Sequence, residues 1–100
     1  MQALEYKITA KVWLYPGVAA WHFITIPTKQ SDEIKTRFSA LKRGWGSLRV
    51  NITIGKTNWD TSIFPDQKRG GYLLPLKKEV RKKEKIINGD TLTFSLQIKL

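Results

Sequence analysis

The sequence predicts an all-β domain in which about six short, mainly antiparallel strands and two short helices form a closed or nearly closed barrel. Three observations lead to this prediction. Apolar and polar residues alternate in several short segments that Gly and Pro turns separate. Only two segments have helical spacing, and the chain lacks the strand–helix–strand rhythm of a parallel sheet. At 100 residues the chain is large enough for one domain, which we expect to span residues 1–100.

The strands are predicted from alternation of period two, which places every second side chain on the buried face. They are expected over residues 5–15, 21–26, 48–54, 57–64, 72–76 and 91–100. Pro16-Gly17 and Gly55-Lys56 are turn signals, so the first four strands should form two hairpins. The last strand has the clearest alternation in the chain, and the Asn88-Gly89-Asp90 turn precedes it.

The first predicted helix covers residues 28–41, because apolar residues recur there at helical spacing. Ile34, Phe38 and Leu41 form its core-facing side. Ser31 is a residue type that caps helices, and we expect it to cap the N-terminus here.

The second predicted helix covers residues 77–85 and is strongly basic. Val80 should face the core, with Leu76 and Ile87 extending the same apolar side. Residues 24–38 and 72–85 share a layout of aliphatic residue, proline and polar helical turn when they are aligned on Pro27 and Pro75. The chain is therefore predicted to contain two related strand–proline–helix units about a pseudo-two-fold axis.

Composition limits the possible chemistry. The chain has no cysteine and one histidine, which argues against disulfides, thiolate nucleophiles and a structural zinc site, so no metal or cofactor is expected. It has neither the apolar core of a signal peptide nor a run long enough to cross a bilayer. We therefore expect a cytoplasmic protein without membrane contact, and a monomer rather than an obligate dimer.

Net charge is the strongest compositional signal. Eighteen Lys and Arg residues stand against eight Asp and Glu residues, which gives a formal net charge of +10. Such a charge attracts polyanions, including nucleic acid. The candidate polyanion-binding residues lie on the second helix and on the loop before its strand: Lys68, Arg69, Lys77, Lys78, Arg81, Lys82, Lys83 and Lys85. The alternative is a solvated helix face stabilised by pairs such as Glu79–Lys83.

Aromatic residues suggest a second kind of site. Trp21, Trp59, Tyr72 and Arg81 could line a small-ligand pocket between the barrel and its helices. Tryptophan in a small barrel more often packs in the core or at its rim. Trp13, on the polar face of the first strand, and Trp45, between two glycines, are the rings expected to be exposed. A third possibility is a domain that docks a protein partner.

No catalytic motif is present. A relay of Ser62, His22 and Asp60 can be written down, but no nucleophile-elbow sequence surrounds the serine, and a lone histidine is usually structural. Gly70-Gly71 lacks the lysine and helix start of a phosphate-binding loop. We therefore expect a binding module and not an enzyme, with a polyanion such as nucleic acid bound through the basic second helix as the leading hypothesis and the small-ligand pocket and the partner-docking domain as the alternatives.

Two family resemblances bear on the fold. The run LLPLKKEVRKKEKIINGDTLTFSL resembles the half-barrel unit of AbrB/MazE-type proteins, with Leu74-Pro75, the basic helix and Gly89-Asp90 in the matching places. The whole chain is similar to the domain of unknown function 1905 family. That similarity lies in Ala20-Trp21-His22-Phe23, Asn58-Trp59-Asp60-Thr61-Ser62, the run from Gly71 to Arg81, and Gly89-Asp90.

The resemblance implies a double-split β-barrel made by one chain, where AbrB-type proteins use two. AbrB-type proteins bind DNA as dimers, but a shared fold does not by itself transfer that activity. The chain departs from the family pattern at Ile86-Ile87-Asn88, where a Gly or Leu-Gly often precedes the Gly-Asp turn. This departure leaves the end of the second helix open.

Overall fold

The computed structural model describes residues 5–17, 21–41 and 46–100. In chain order the elements are β1 (Glu5–Leu14), β2 (His22–Thr25), α1 (Thr28–Arg37), a 3-10 turn (Ser39–Leu41), β3 (Leu48–Ile54), β4 (Thr57–Pro65), β5 (Tyr72–Leu76), α2 (Lys78–Glu84) and β6 (Thr91–Ile98). The strands close into an antiparallel barrel in the order β1-β2-β5-β4-β3-β6. The predicted fold class, a mainly antiparallel barrel with two short helices, is confirmed.

Two strands are each shared between two sheets. β1 pairs with β6 over residues 5–11 and with β2 over residues 12–14. β4 pairs with β3 over residues 57–63 and with β5 only through Phe64 and Pro65. Over residues 5–11, β1 is therefore not paired with β2, and over residues 57–63, β4 is not paired with β5. The barrel therefore has two gaps, one beside the first part of β1 and one beside the first part of β4.

The strand order is symmetric between the two halves of the chain. It is unchanged when β1, β2 and β3 exchange places with β4, β5 and β6. Each helix follows the middle strand of its half, since α1 follows β2 and α2 follows β5. The topology thus has the two related halves that the sequence layout predicted.

The two helices begin in the same way, but two residues away from the predicted alignment. Pro27 precedes α1 and Lys77 precedes α2 as the N-cap residue. Pro75, the proline that the alignment paired with Pro27, lies within β5 opposite Phe23. Pro27 and Lys77 are therefore the equivalent positions. The alignment on the two prolines is wrong because the second proline is part of the strand and not of the helix start.

Ser31 lies inside α1 and does not cap it. The helix begins at Thr28, and the Ser31 side chain is only 2% exposed. Its hydroxyl donates to the carbonyl of Ile26 over 3.0 Å and accepts from the backbone N–H of Tyr72 over 3.1 Å. The predicted cap is wrong because the buried hydroxyl is used to hold the helix to the ends of β2 and β5.

Arg81 makes the equivalent bond in the second half. Its Nε donates to the carbonyl of Leu76 over 3.1 Å, as Ser31 does to Ile26. In both halves a side chain four residues after the N-cap bonds the carbonyl just before the N-cap. This bond fixes each helix across the end of the strand that precedes it.

Aliphatic side chains from all the strands fill the barrel. The buried apolar residues are Ile8, Val12, Ile24, Ile26, Ile34, Phe38, Leu48, Val50, Ile52, Ile54, Trp59, Ile63, Tyr72, Leu74, Leu76, Val80, Ile86, Phe94, Leu96 and Ile98. Val80 and Leu76 are buried as predicted. None of the helices in the described ranges is long and apolar enough to span a bilayer.

The end of α2 differs from the prediction at Ile87. Lys85 has a left-handed backbone (φ 54°, ψ 46°), and the N–H groups of Lys85 and Ile86 donate to the carbonyls of Lys82 and Arg81. This is the hydrogen-bond pattern of a Schellman motif, which reverses the chain direction. The reversal buries Ile86, which is 6% exposed, and turns out Ile87, which is 66% exposed. Ile86, and not Ile87, therefore extends the apolar side of α2.

Replacement of Lys85 tests this helix end. A residue with a Cβ costs about 1 kcal/mol in the left-handed region, and glycine removes that cost. The greater freedom of glycine in the unfolded chain offsets part of the gain. Lys85→Gly should therefore raise the free energy of unfolding by roughly 0.5–1 kcal/mol. Lys85→Ala is the matched control, because it removes the same charge and keeps the Cβ. Urea denaturation measures both variants. Equal stability of the glycine and alanine variants would contradict the assigned geometry.

Candidate ligand-binding cleft

The helices fill the two barrel gaps to different extents. The ten residues of α1 lie beside the first part of β1, where Gln30 donates to the Lys7 carbonyl over 2.9 Å. Ile34 of α1 and Phe38, which follows it, are both buried. The seven residues of α2 bury Val80 alone. The gap beside β4 is consequently covered but not filled, and a cleft of about 600 Å³ remains there.

The cleft has mainly apolar walls from β2, β4 and β5, with polar groups from β4 and α2. The residues that line it are Trp21, His22, Phe23, Trp59, Asp60, Thr61, Phe64, Leu73, Pro75, Leu76, Lys77, Lys78 and Arg81. A volume of this size and a lining of this kind are typical of small-molecule sites.

Comparison of the two gaps, over the described residues, shows how their packing differs. Beside α1, a Cβ on Gly71 would lie 3.0 Å from the Ile26 carbonyl and 3.1 Å from the Ser31 hydroxyl, so the chain passes close over the helix start. The spacing that relates Pro27 to Lys77 also relates Trp21 to Gly71. The closely packed glycine beside α1 is thus replaced, beside α2, by a tryptophan that is 56% exposed.

Positive charge lies on the helix side of the cleft. Lys77, Lys78 and Arg81 line it at the start of α2. Glu84, near the end of α2, accepts a 2.6 Å hydrogen bond from the Thr57 hydroxyl on β4. A Cβ on Gly55 would meet that carboxylate, and the glycine has a left-handed backbone (φ 56°) in the β3–β4 turn.

A carboxylate also belongs to the lining of the cleft. Asp60 accepts hydrogen bonds of 2.7 Å from the Asn51 amide and 2.7 Å from the Lys99 ammonium. The Asn51 hydrogen bond, followed by that of Lys99, lowers the pKa of the Asp60 carboxyl below its ordinary value. At neutral pH the Asp60 side chain is therefore ionised and can only accept hydrogen bonds.

Three of the four residues predicted for a pocket line this cleft. They are Trp21, Trp59 and Arg81. Tyr72 does not line it, because its side chain is 3% exposed and belongs to the core. Burial raises the pKa of the Tyr72 phenol, which stays neutral. Tyr72 on β5 is equivalent to His22 on β2, so a histidine lines the cleft where the equivalent position has a core tyrosine.

The basic residues of α2 and its N-cap are exposed to solvent. Lys77, Lys78, Lys82, Lys83 and Lys85 all lie at the surface. Among the described residues, none of these five lysines forms an ion pair within 4.0 Å. The alternative interpretation of the helix as a face of i,i+4 ion pairs is therefore not what the structure contains.

Lys68 and Arg69 are separated from α2. They lie before β5, and α2 begins after it, so a strand of five residues, about 16 Å long, separates them. Arg69 pairs with Asp66 over 3.4 Å, and its guanidinium carbon lies 4.6 Å from the centre of the Trp13 ring. These two cations therefore do not extend the α2 surface directly.

An aromatic strip connects the two cationic regions. It consists of Trp13, Tyr15, Phe23 and Trp21, whose neighbouring ring centres are 5.5–6.3 Å apart. Trp13, which the sequence predicts to be exposed, is half-buried, because Phe23 and Arg69 pack on its ring and its Nε1 donates to the Thr25 hydroxyl over 3.0 Å. Sequence reasoning also missed the strip. The available signal was the spacing of two aromatic residues on each side of the Pro16-Gly17 turn. Trp45 lies outside the described residues.

The polar groups considered for catalysis have other partners. The Ser62 hydroxyl accepts from the Arg49 guanidinium over 3.1 Å, and Asp60 is held by Asn51 and Lys99. In the described part of the chain, no three His, Asp or Glu side chains come together in a way that could hold a metal ion.

Comparison with known proteins identifies a family. The model of the family described as domain of unknown function (DUF1905) matches residues 9–96, and the chain belongs to that family. The match includes β2, β4, β5 and α2, which form the cleft. None of the curated proteins matches the chain.

The charge of Asp60 can be tested by titration. We expect its carboxyl to titrate below the ordinary aspartate pKa, because Asn51 and Lys99 stabilise the ionised form. Carbon NMR of the side chain, followed against pH, measures the pKa. Lys99→Gln should raise it, whereas Lys56→Gln in the β3–β4 turn should not.

The sign of the linked stability effect follows from the lowered pKa. A folded pKa below the unfolded pKa stabilises the protein above the unfolded value, and the contribution is lost as pH falls through the folded value. A carboxyl that titrates at or above its ordinary value would contradict the assigned contacts.

Proposed function

We propose that this member of the domain of unknown function 1905 family is a non-enzymatic binding module whose cleft takes a small molecule with a planar apolar body and an anionic group. One observation supports the proposal above others. The cleft of about 600 Å³ joins apolar walls to a cluster of three cationic side chains at one end. We expect the protein to act in the cytoplasm as a monomer.

The walls suit a flat ring system. Trp21, Phe64 and Trp59 present aromatic surface to the cleft, and Leu73 and Pro75 add aliphatic surface. Trp21 and Phe64 are 56% and 42% exposed, so a ligand would remove apolar area from water on both sides of itself. Such burial contributes roughly 25 cal/mol per Å² of apolar surface.

The polar groups orient the ligand. Lys77, Lys78 and Arg81 on the helix side favour a carboxylate, sulfonate or phosphate there. The ionised Asp60, which also lines the cleft, accepts hydrogen bonds, so it favours an N–H or O–H on the ligand. The favoured ligand is therefore planar and carries both an anionic group and a hydrogen-bond donor.

Binding of 1-anilinonaphthalene-8-sulfonate, a planar apolar sulfonate, tests the cleft. We expect saturable binding at one site, seen as enhanced probe fluorescence. Lys78→Gln should weaken it about tenfold through the loss of a charged partner. Trp21→Ala should weaken it by removal of one wall. Ile87→Ala and Lys35→Gln are the matched controls, since both side chains are exposed and lie outside the cleft.

A circular dichroism melt of each variant separates lost binding from lost folding. Probe fluorescence that never saturates, or that both cleft variants leave unchanged, would contradict the proposal.

A second candidate function is polyanion binding along α2. The observation that favours it is the row of exposed lysines without ion-pair partners among the described residues, on a chain with a net charge of +10. Lysines that bind along a phosphate backbone release the counterions condensed on it. The binding free energy therefore depends strongly on salt. Nucleic acid is the polyanion we propose.

Fluorescence anisotropy with duplex and single-stranded DNA and RNA, at low and moderate salt, tests this candidate. We expect binding that weakens with salt and is largely lost in the double variant Lys82→Glu/Lys83→Glu, because two attractive charges become repulsive. Lys35→Glu on α1 is the control for charge reversal elsewhere. Binding no tighter than to heparin, with no loss in the double variant, would exclude a specific role for α2.

A further inference from the structure

The aromatic strip is the feature of the molecule that the cleft alone does not explain. It lies on the β1–β2 hairpin, where the Tyr15 N–H donates to the Trp21 carbonyl over 2.9 Å and extends the pairing beyond the strands. Tyr15 is 37% exposed and Trp21 is 56% exposed. Large aromatic rings on an outer sheet face bury little area in the barrel itself, so their packing there stabilises the fold less than core rings would.

The strip has a direction. It begins at Arg69, whose guanidinium lies over the rings of Trp13 and Tyr15 at 4.6 and 5.7 Å. It continues through Phe23 to Trp21, and both of these residues also line the cleft. A cation thus lies at one end, and the cleft with its lysines lies at the other.

We propose that the aromatic strip is a stacking platform for the bases of single-stranded nucleic acid, which runs from Arg69 to the cleft. Every base has a π-face that can stack on an aromatic ring or on a guanidinium plane. The phosphates of the strand can pair with the ammonium groups of Lys77 and Lys78 at the cleft end. The proposal rests on the proposed cleft function in one respect, that the terminal base of the bound segment enters the cleft.

The chemistry of a nucleotide fits the cleft as the structure presents it. The base of a nucleotide is planar and carries ring or amino N–H groups, from which Asp60 can accept hydrogen bonds. The phosphate of the nucleotide is anionic. These are the three properties that the walls, the carboxylate and the cations of the cleft favour together. The strip then supplies contacts to the neighbouring nucleotides that a free mononucleotide would lack.

A single strand is favoured over a duplex. In a duplex both faces of each base are stacked at about 3.4 Å per step, so the bases cannot reach protein rings. Ring centres on the strip are 5.5–6.3 Å apart, which requires a strand whose bases can separate. A flexible single strand can adopt that spacing.

Charge decides between this occupant and the others that an exposed aromatic surface could have. A second copy of the chain would carry the same net charge of +10 and would be repelled. An anionic lipid surface would be attracted, but a bilayer needs neither a line of rings nor a concave end. Single-stranded nucleic acid satisfies the charge, the rings and the cleft together.

The test compares a labelled oligothymidylate with a duplex of equal length by fluorescence anisotropy, using the full chain at neutral pH. Tyr15→Ala and Arg69→Gln change residues of the strip that do not themselves line the cleft. Tyr15 packs against Trp21 and Phe23, which do line it, whereas Arg69 packs against Trp13 and Tyr15. Tyr15→Ala should weaken oligothymidylate binding by about 5- to 100-fold, the range seen when a stacked ring is removed. Tyr15→Phe should retain it, and Ile87→Ala and Lys35→Gln are the matched controls.

Probe binding in the cleft distinguishes failure of this proposal from failure of the cleft function. We expect Arg69→Gln to leave 1-anilinonaphthalene-8-sulfonate binding unchanged while oligothymidylate binding falls, because Arg69 contacts Trp13, Tyr15 and Asp66, which do not line the cleft. Oligothymidylate binding that Tyr15→Ala weakens, in a protein that does not bind the probe, would support the strip and remove the cleft function.

Several results would overturn the proposal. One is equal binding of duplex and oligothymidylate with no effect of Tyr15→Ala, which would assign binding to the lysines of α2 alone. Another is binding of phosphatidylglycerol vesicles that Tyr15→Ala abolishes, together with no binding of oligothymidylate. A third is a dimer in light scattering that Tyr15→Ala dissociates, because the strip would then be a contact between copies.

Discussion

The structure depends on one hydrogen bond in each half, which a helix side chain donates to the backbone carbonyl at the end of the preceding strand. In the first half the donor is the Ser31 hydroxyl and the acceptor is the Ile26 carbonyl. In the second half the donor is the Arg81 guanidinium and the acceptor is the Leu76 carbonyl. Because each carbonyl lies at the edge of a barrel gap, this bond places the helix over the gap. A buried polar group without such a partner would cost about 1–3 kcal/mol, so the position is strongly determined.

The two donors differ in size, and that difference accounts for the candidate site. Serine is small enough for the chain at Gly71 to close over it, which seals the first gap. Arginine is long and charged, and Trp21 stands where the glycine would be, so the second gap remains a cleft with a cationic end. The second helix is also shorter and buries only Val80. Within the described residues, a symmetric fold thus has a candidate binding site beside α2 through a few asymmetric residues, and the aromatic strip extends from that same place.

Local patterns predicted the elements better than their relation to one another. The alternation of β6 and the basic α2 were predictable, because period and charge are written in consecutive residues. The gap beside β4 was not predictable. It arises because β4 pairs with β5 only at its last two residues, and such long-range pairing is not written in consecutive residues. Ile86 and Ile87 exchanged roles because a left-handed Lys85 reverses the chain, and a lysine gives no signal for that conformation. Tyr72 was predicted to line the pocket but lies in the core. Its hydrogen-bond partner Ser31 is distant in sequence, so no local pattern indicates that packing.

The central claim is that the cleft beside α2 binds ligand and the equivalent surface beside α1 does not. Amide NMR spectra recorded during titration with oligothymidylate test this claim within one molecule. The account predicts shift changes at Trp21, Leu76 and Arg81, and none at their equivalents Gly71, Ile26 and Ser31. Equal changes at both sets, or changes at Gly71, Ile26 and Ser31 alone, would contradict it.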